Sequence, residues 1–148
     1  MKRKIGAVVL ILIALVAVGT APSAEAQGGC SSANLNGAYA VSRQGTLLTS
    51  VLGLPAPAPW AEVALAHFDG TGSFFGTATV NIGGIALSAT FTGTYTISPD
   101  CTGILTVHPN VPVTITESII VIKGGQAYIG TDTESFAVVQ GRGEKLDD

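Results

Sequence analysis

Residues Ile85–Ile97 read I-A-L-S-A-T-F-T-G-T-Y-T-I. Apolar or small residues hold the odd positions (Ile85, Leu87, Ala89, Phe91, Gly93, Tyr95 and Ile97), while every even position from Ser88 to Thr96 carries a hydroxyl. A period of two sustained this long predicts an extended strand with one buried and one wet face. Ser73–Ile82 repeats the pattern. Phe74, Gly76, Ala78, Val80 and Ile82 share one side, and Phe75 is the apolar exception beside Thr77, Thr79 and Asn81. Further strands are predicted at residues 38–43, 62–68, 103–108, 113–122, 127–131 and 136–141, about eight in all.

The connections are as telling as the strands. Asp69-Gly70-Thr71-Gly72, Gly83-Gly84 and Gly124-Gly125 are short glycine turns of hairpin type, and Ser98-Pro99-Asp100 starts another reversal. Short turns force successive strands to lie side by side and antiparallel. The expected fold is therefore all-β: an antiparallel meander closed into a small up-and-down barrel, since closure removes the exposed edges. A two-sheet β-sandwich is the alternative, and long crossovers would favour it. Glycines inside or beside strands (Gly37, Gly76, Gly93, Gly130 and Gly141) are expected to allow bends and bulges.

One connection differs. Residues 45–59 read G-T-L-L-T-S-V-L-G-L-P-A-P-A-P and lead into Trp60. Pro55, Pro57 and Pro59 exclude regular helix there. Its leucines should not hang in water. Three roles stay open: a plug across the barrel end, a lid over a ligand mouth, or a docking surface.

Composition changes the picture at the N-terminus. Lys2, Arg3 and Lys4 precede an apolar run of about 14 residues, and small residues close the segment at A-E-A, residues 24–26. This is the three-part pattern of a secretory signal peptide over residues 1–26, with a run short for a membrane span of about 20. Residues 27–148 are then a single β-barrel domain, secreted or periplasmic, with no stable membrane span once the signal is removed. That domain carries four Lys or Arg and nine Asp or Glu, a net charge of about −5. The four cations are scattered, so neither nucleic acid nor an anionic membrane surface is an expected partner. Cys30 and Cys101 are the only cysteines. In an exported chain an even pair predicts a disulfide.

Candidate chemistry is sparse. His67 and Asp69 share a strand face, but an Asp before a glycine turn is expected to cap that turn. His108 precedes Pro109 and reads as a surface residue. No third ligand completes a zinc site, no calcium loop is present, and no Gly-x-Ser-x-Gly elbow supplies a nucleophile. No metal or cofactor is therefore expected. Asp132, Glu134 and Glu117 read as a solvated acidic rim. Counting by two from Val113 and Ile115 puts Glu117 on the apolar face, which is costly unless it is paired, with Arg43 as one partner. Because residues 119–122 break the alternation, the favoured expectation is a bulge that turns Glu117 outward. The first candidates for lumen contacts with a ligand are Tyr39, Trp60, Phe91, Tyr95 and Glu117.

L-N-G-A-Y at residues 35–39, H-F-D-G-T-G at 67–72 and G-T-Y-T-I-S-P-D-C-T-G at 93–103 occur together. In this combination the chain resembles a family of small secreted bacterial β-proteins with no assigned function. The first motif also resembles the opening strand of calycin-type barrels such as avidins and lipocalins. Those carry Gly-x-Trp where this chain has Gly37-Ala38-Tyr39, and no biotin-binding set carries over. Allene-oxide-cyclase-like barrels are similar in size and topology, without a matching site motif. The resemblance implies a calycin-like barrel and export, and is silent on activity. The leading functional expectation is a non-enzymatic binder of a small apolar ligand, or simply a stable extracytoplasmic module. One alternative is a cyclase or isomerase using Glu117 or His67 for proton transfer. The other is a surface or matrix component docking through the 45–59 loop. Oligomeric state is not legible.

Overall fold

The computed structural model describes residues 29–147; residues 1–26, where the sequence predicts a signal peptide, lie outside them. Eight strands follow in chain order: β1 (Asn36–Leu47), β2 (Ala58–Asp69), β3 (Ser73–Ile82), β4 (Ile85–Ile97), β5 (Thr102–Pro109), β6 (Ile115–Ile122), β7 (Ala127–Asp132) and β8 (Ala137–Lys145). Each pairs antiparallel with the next, and β8 returns to β1 from Tyr39↔Lys145 to Leu47↔Ala137. The barrel is closed, so the sandwich alternative does not hold.

β3 and β4 have the predicted bounds. β1 and β2 run further into the 45–59 segment than expected, pairing Gly45 with Trp60 and Leu47 with Ala58. Pro59 fits in β2 because β3 stops opposite Trp60, and the Pro59 carbonyl simply receives the Gly83 N–H at 2.9 Å.

Alternation turns Tyr39, Val41, Ala66, Phe68, Phe74, Tyr95, Leu105 and Ile119 inward into one apolar cluster. A second cluster, with Leu47, Trp60, Ile82 and Val139, fills the opposite end. β4 departs from its uniform pattern. Gly93 and Tyr95 are buried, yet Ile85 and Leu87 remain more than 40 % exposed. The reason is register: β5 joins β4 only from Phe91↔Pro109 onward, so residues 85–89 are paired to β3 alone. A seam opens there between β4 and the β5–β6 connection.

The two ends of the barrel are unlike. At one, a 3-10 turn (Ser32–Asn34) lies across the opening. The Tyr95 hydroxyl donates to the Leu35 carbonyl at 2.7 Å, and the Tyr39 hydroxyl donates to the Gly125 carbonyl. Cys30 and Cys101 are disulfide-bonded with Cα atoms 4.9 Å apart, fixing this N-terminal strap to the β4–β5 turn. The bond closes a span of 71 residues, for which chain-entropy arithmetic gives about 4 kcal/mol. At the other end the 45–59 segment folds inward. Val51, Leu54 and Ala56 pack on the Leu47–Trp60 cluster, leaving Leu48 and Leu52 half exposed.

Candidate functional site

Between the two apolar clusters the lumen holds a cavity of about 200 Å³. Its walls are largely apolar, including Trp60, Phe74, Phe91, Leu105 and Ile115, and three charged side chains reach it: Arg43, Glu62 and Glu117. Val51, Leu52 and Leu54 of the 45–59 segment and Leu87, Val111 and Val113 beside the seam complete the lining. The segment therefore covers the barrel end, as the plug expectation has it, and also lines the cavity.

The charged group follows from strand register. Arg43 of β1 is directly opposite Glu62 of β2, and Glu117 of β6 is directly opposite Asp132 of β7. These pairs are separated around the wall by β8, and glycines let them meet. Gly141 of β8 stands opposite both Arg43 and Gly130 of β7. A Cβ on Gly141 would lie 2.6 Å from Arg43 Cγ, and one on Gly130 would lie 2.9 Å from Glu117 Oε1. The missing side chains are thus the space through which the guanidinium crosses the lumen. Gly76 and Gly93 play the same part for Phe91 and Phe74, whose rings lie where a Cβ would sit. None of these four has positive φ. Their role is clearance rather than the bending that their positions suggested; of the five strand glycines singled out in the sequence, Gly37 alone, with φ near 101°, uses glycine's backbone freedom.

Arg43 is 6 % exposed and Glu117 4 %. The guanidinium Nη2 donates to Asp132 Oδ1, Nη1 lies 3.5 Å from Glu62 Oε2, and Nε lies 3.8 Å from Glu117 Oε1. Trp60 Nε1 donates to Glu62 Oε2 at 3.2 Å. One cation thus faces three buried carboxylates. Burial pushes the Glu117 carboxyl up to about 7 against the pull of Arg43, with Asp132 and Glu62 adding repulsion. Burial likewise raises Asp132 to about 6. Burial opposes the Arg43 charge, but the three carboxylates outweigh it and hold Arg43 above its ordinary value. The Tyr128 hydroxyl is raised by burial and by Glu117. Two polar atoms of the group are buried without a hydrogen-bond partner, Arg43 Nε and Asp132 Oδ2.

Of the residues singled out in the sequence, Trp60, Phe91 and Glu117 line the cavity. Tyr39 and Tyr95 do not; their hydroxyls are committed to backbone carbonyls at the strapped end. Glu117 corrects the expected bulge: Ile115, Glu117, Ile119 and Val121 alternate inward without interruption, and Ile120 simply faces solvent. Asp132 corrects the expected solvated rim, because its side chain is 1 % exposed. Glu134 instead accepts the Thr116 N–H at 3.1 Å. His67 lies on the outer face, stacked on Phe75 with centroids 5.1 Å apart, and does not line the cavity. Asp69 caps its turn as expected, accepting from Thr71, Gly72 and Ser73 N–H groups, which lower its carboxyl to about 2. His108 is at the surface near Thr114. Among the described residues no group of three His, Cys, Asp or Glu is placed to hold a metal ion.

Sequence reasoning missed Glu62, and it grouped Asp132 with Glu117 but placed them in solvent. The signal for Glu62 was present: counting by two from Trp60 to Phe68 passes through it. Starting the strand at Glu62 hid that count. Comparison with family models, curated proteins and solved structures finds no match to this chain.

Proposed function

We propose that this protein is an exported, calycin-like, non-enzymatic barrel that holds a small apolar molecule bearing one polar group. The observation that carries the reading is the lumen itself: an apolar cavity of about 200 Å³ that ends on a buried Arg43–Glu62–Glu117 face. Apolar walls with a few convergent polar groups are the usual anatomy of a small-molecule site. The disulfide is compatible with an extracytoplasmic location and supports export.

A second reading keeps a specific support. A carboxyl near 7 facing an apolar cavity is poised to give or take a proton. In that reading the barrel is a cyclase or isomerase and Glu117 performs the transfer; His67, on the outer face, takes no part. Docking on a surface or matrix through the 45–59 segment has less support, since most of its apolar side chains pack inward.

Trp60 is the chain's single tryptophan, so its emission reports on the cavity. Titration with N-phenyl-1-naphthylamine is expected to give saturable dye brightening with quenching of Trp60. Native mass spectrometry of protein from its own host is expected to reveal a retained small molecule. A dye that neither saturates nor alters Trp60 emission overturns the binding reading. Turnover of a substrate, abolished in Glu117→Gln, would replace it with the enzymatic one.

A further inference from the structure

We infer that the polar group recognised in the lumen is a neutral hydroxyl, so that the ligand class is a small apolar alcohol bound between Arg43 Nε and the Glu117 carboxyl. The inference rests on the binding reading above and names the chemistry of that same site. It starts from an unmet hydrogen-bond demand. Arg43 Nε is buried and has no partner, and Arg43 is one of the three charged residues that line the cavity. Buried donors are almost always paired, so an unpaired one at a cavity wall marks where an acceptor belongs. Glu117 Oε1 lies 3.8 Å from it, beyond hydrogen-bond range yet close enough for a single oxygen to touch both.

The surrounding charge selects what that oxygen belongs to. Arg43 from β1 is faced by Glu62 from β2, Glu117 from β6 and Asp132 from β7, with the Tyr128 hydroxyl of β7 nearby and Glu134 behind Asp132. Acids already outnumber the cation, so a ligand carboxylate would add repulsion in a desolvated site. A protonated amine would ease that excess but has no lone pair for Arg43 Nε. An ether accepts from Nε and gives nothing to Glu117. A hydroxyl does both: it accepts from Nε–H and donates to the Glu117 carboxyl, while its alkyl part lies against Trp60 and Phe91.

The test is competition against N-phenyl-1-naphthylamine at pH 8, using octan-1-ol, its methyl ether, octylamine and octanoate. Octan-1-ol is expected to displace the dye at a concentration about tenfold lower than each of the other three. In Glu117→Leu the alcohol and its ether should become equal, because the acceptor is gone; circular dichroism and retained dye binding check that this variant folds. Glu117→Gln, which keeps a carbonyl acceptor, should retain part of the preference if Glu117→Leu does not fold. Octanoate or octylamine competing as well as the alcohol overturns the inference, as does an alcohol no better than its ether in the wild type. Failure of all four while the dye binds saturably also overturns it. Failure of the dye itself to bind overturns instead the cavity reading on which the inference stands.

Discussion

Burying Glu117 beside Arg43 ties folding to pH. Its carboxyl titrates near 4.5 ordinarily and near 7 in the barrel. The folded state therefore holds this proton more tightly than the unfolded chain. The resulting stability is complete below about pH 4.5, declines as pH rises, and is gone above about pH 7, a difference of roughly 3 kcal/mol. Asp132, raised to about 6, acts in the same direction over a lower window. Asp69, lowered to about 2 at the surface, acts oppositely, and only at more acid pH. Thermal unfolding should accordingly show a lower Tm at pH 8 than at pH 5, with most of that fall removed in Glu117→Gln. An equal fall in the variant would mean that Glu117 is not raised in the barrel and is already ionised at pH 5. The sequence placed Glu117 on the apolar face by counting, then turned it outward because Ile120 broke the pattern. An exposed isoleucine is common on a folded surface and implied no bulge. What the count could not supply was Asp132, whose burial depends on an arginine 89 residues away.

At the scale of elements, the inward glycines set what the strands can enclose. β3 and β4 were legible to the residue because their hydroxyl and apolar positions alternate without exception over their middles. The 45–59 segment was not, because its prolines excluded helix without marking where β1 ends and β2 begins, and Pro59 can sit in a strand since its nitrogen needs no ladder bond. The inward glycines suggested bends and bulges, since sequence does not say which ring or guanidinium lies over a missing Cβ. Gly141→Ala tests the clearance role. Its new methyl would sit 2.6 Å from Arg43 Cγ, close to the stem of that side chain rather than its free end. A loss of about 1–3 kcal/mol in denaturant unfolding is expected. Gln140→Ala, one residue away on the exposed face, should change stability by less than about 0.5 kcal/mol. Equal effects from the two would show that Gly141 is not there for Arg43.

The whole molecule divides its labour between two ends. The meander, its closure and the disulfide were legible from short glycine turns and an even cysteine pair. The cavity was not, because whether a lumen is filled or hollow depends on how side chains from eight strands interdigitate. Removing the disulfide should affect stability alone. Cys30→Ser with Cys101→Ser is expected to cost about 4 kcal/mol, roughly 15 °C in Tm, while N-phenyl-1-naphthylamine affinity is unchanged, because the bond lies opposite the 45–59 segment. Loss of dye affinity in a folded double variant would show that the ends are coupled. The strapped end also gathers both ends of the described chain. Cys30 bonds there, and Leu146 N–H reaches the Ala38 carbonyl as β8 finishes beside the start of β1. A tether fused at either end, or a bead coupled through one, would therefore grip the barrel by its strapped base and leave the end covered by the 45–59 segment pointing freely into solution.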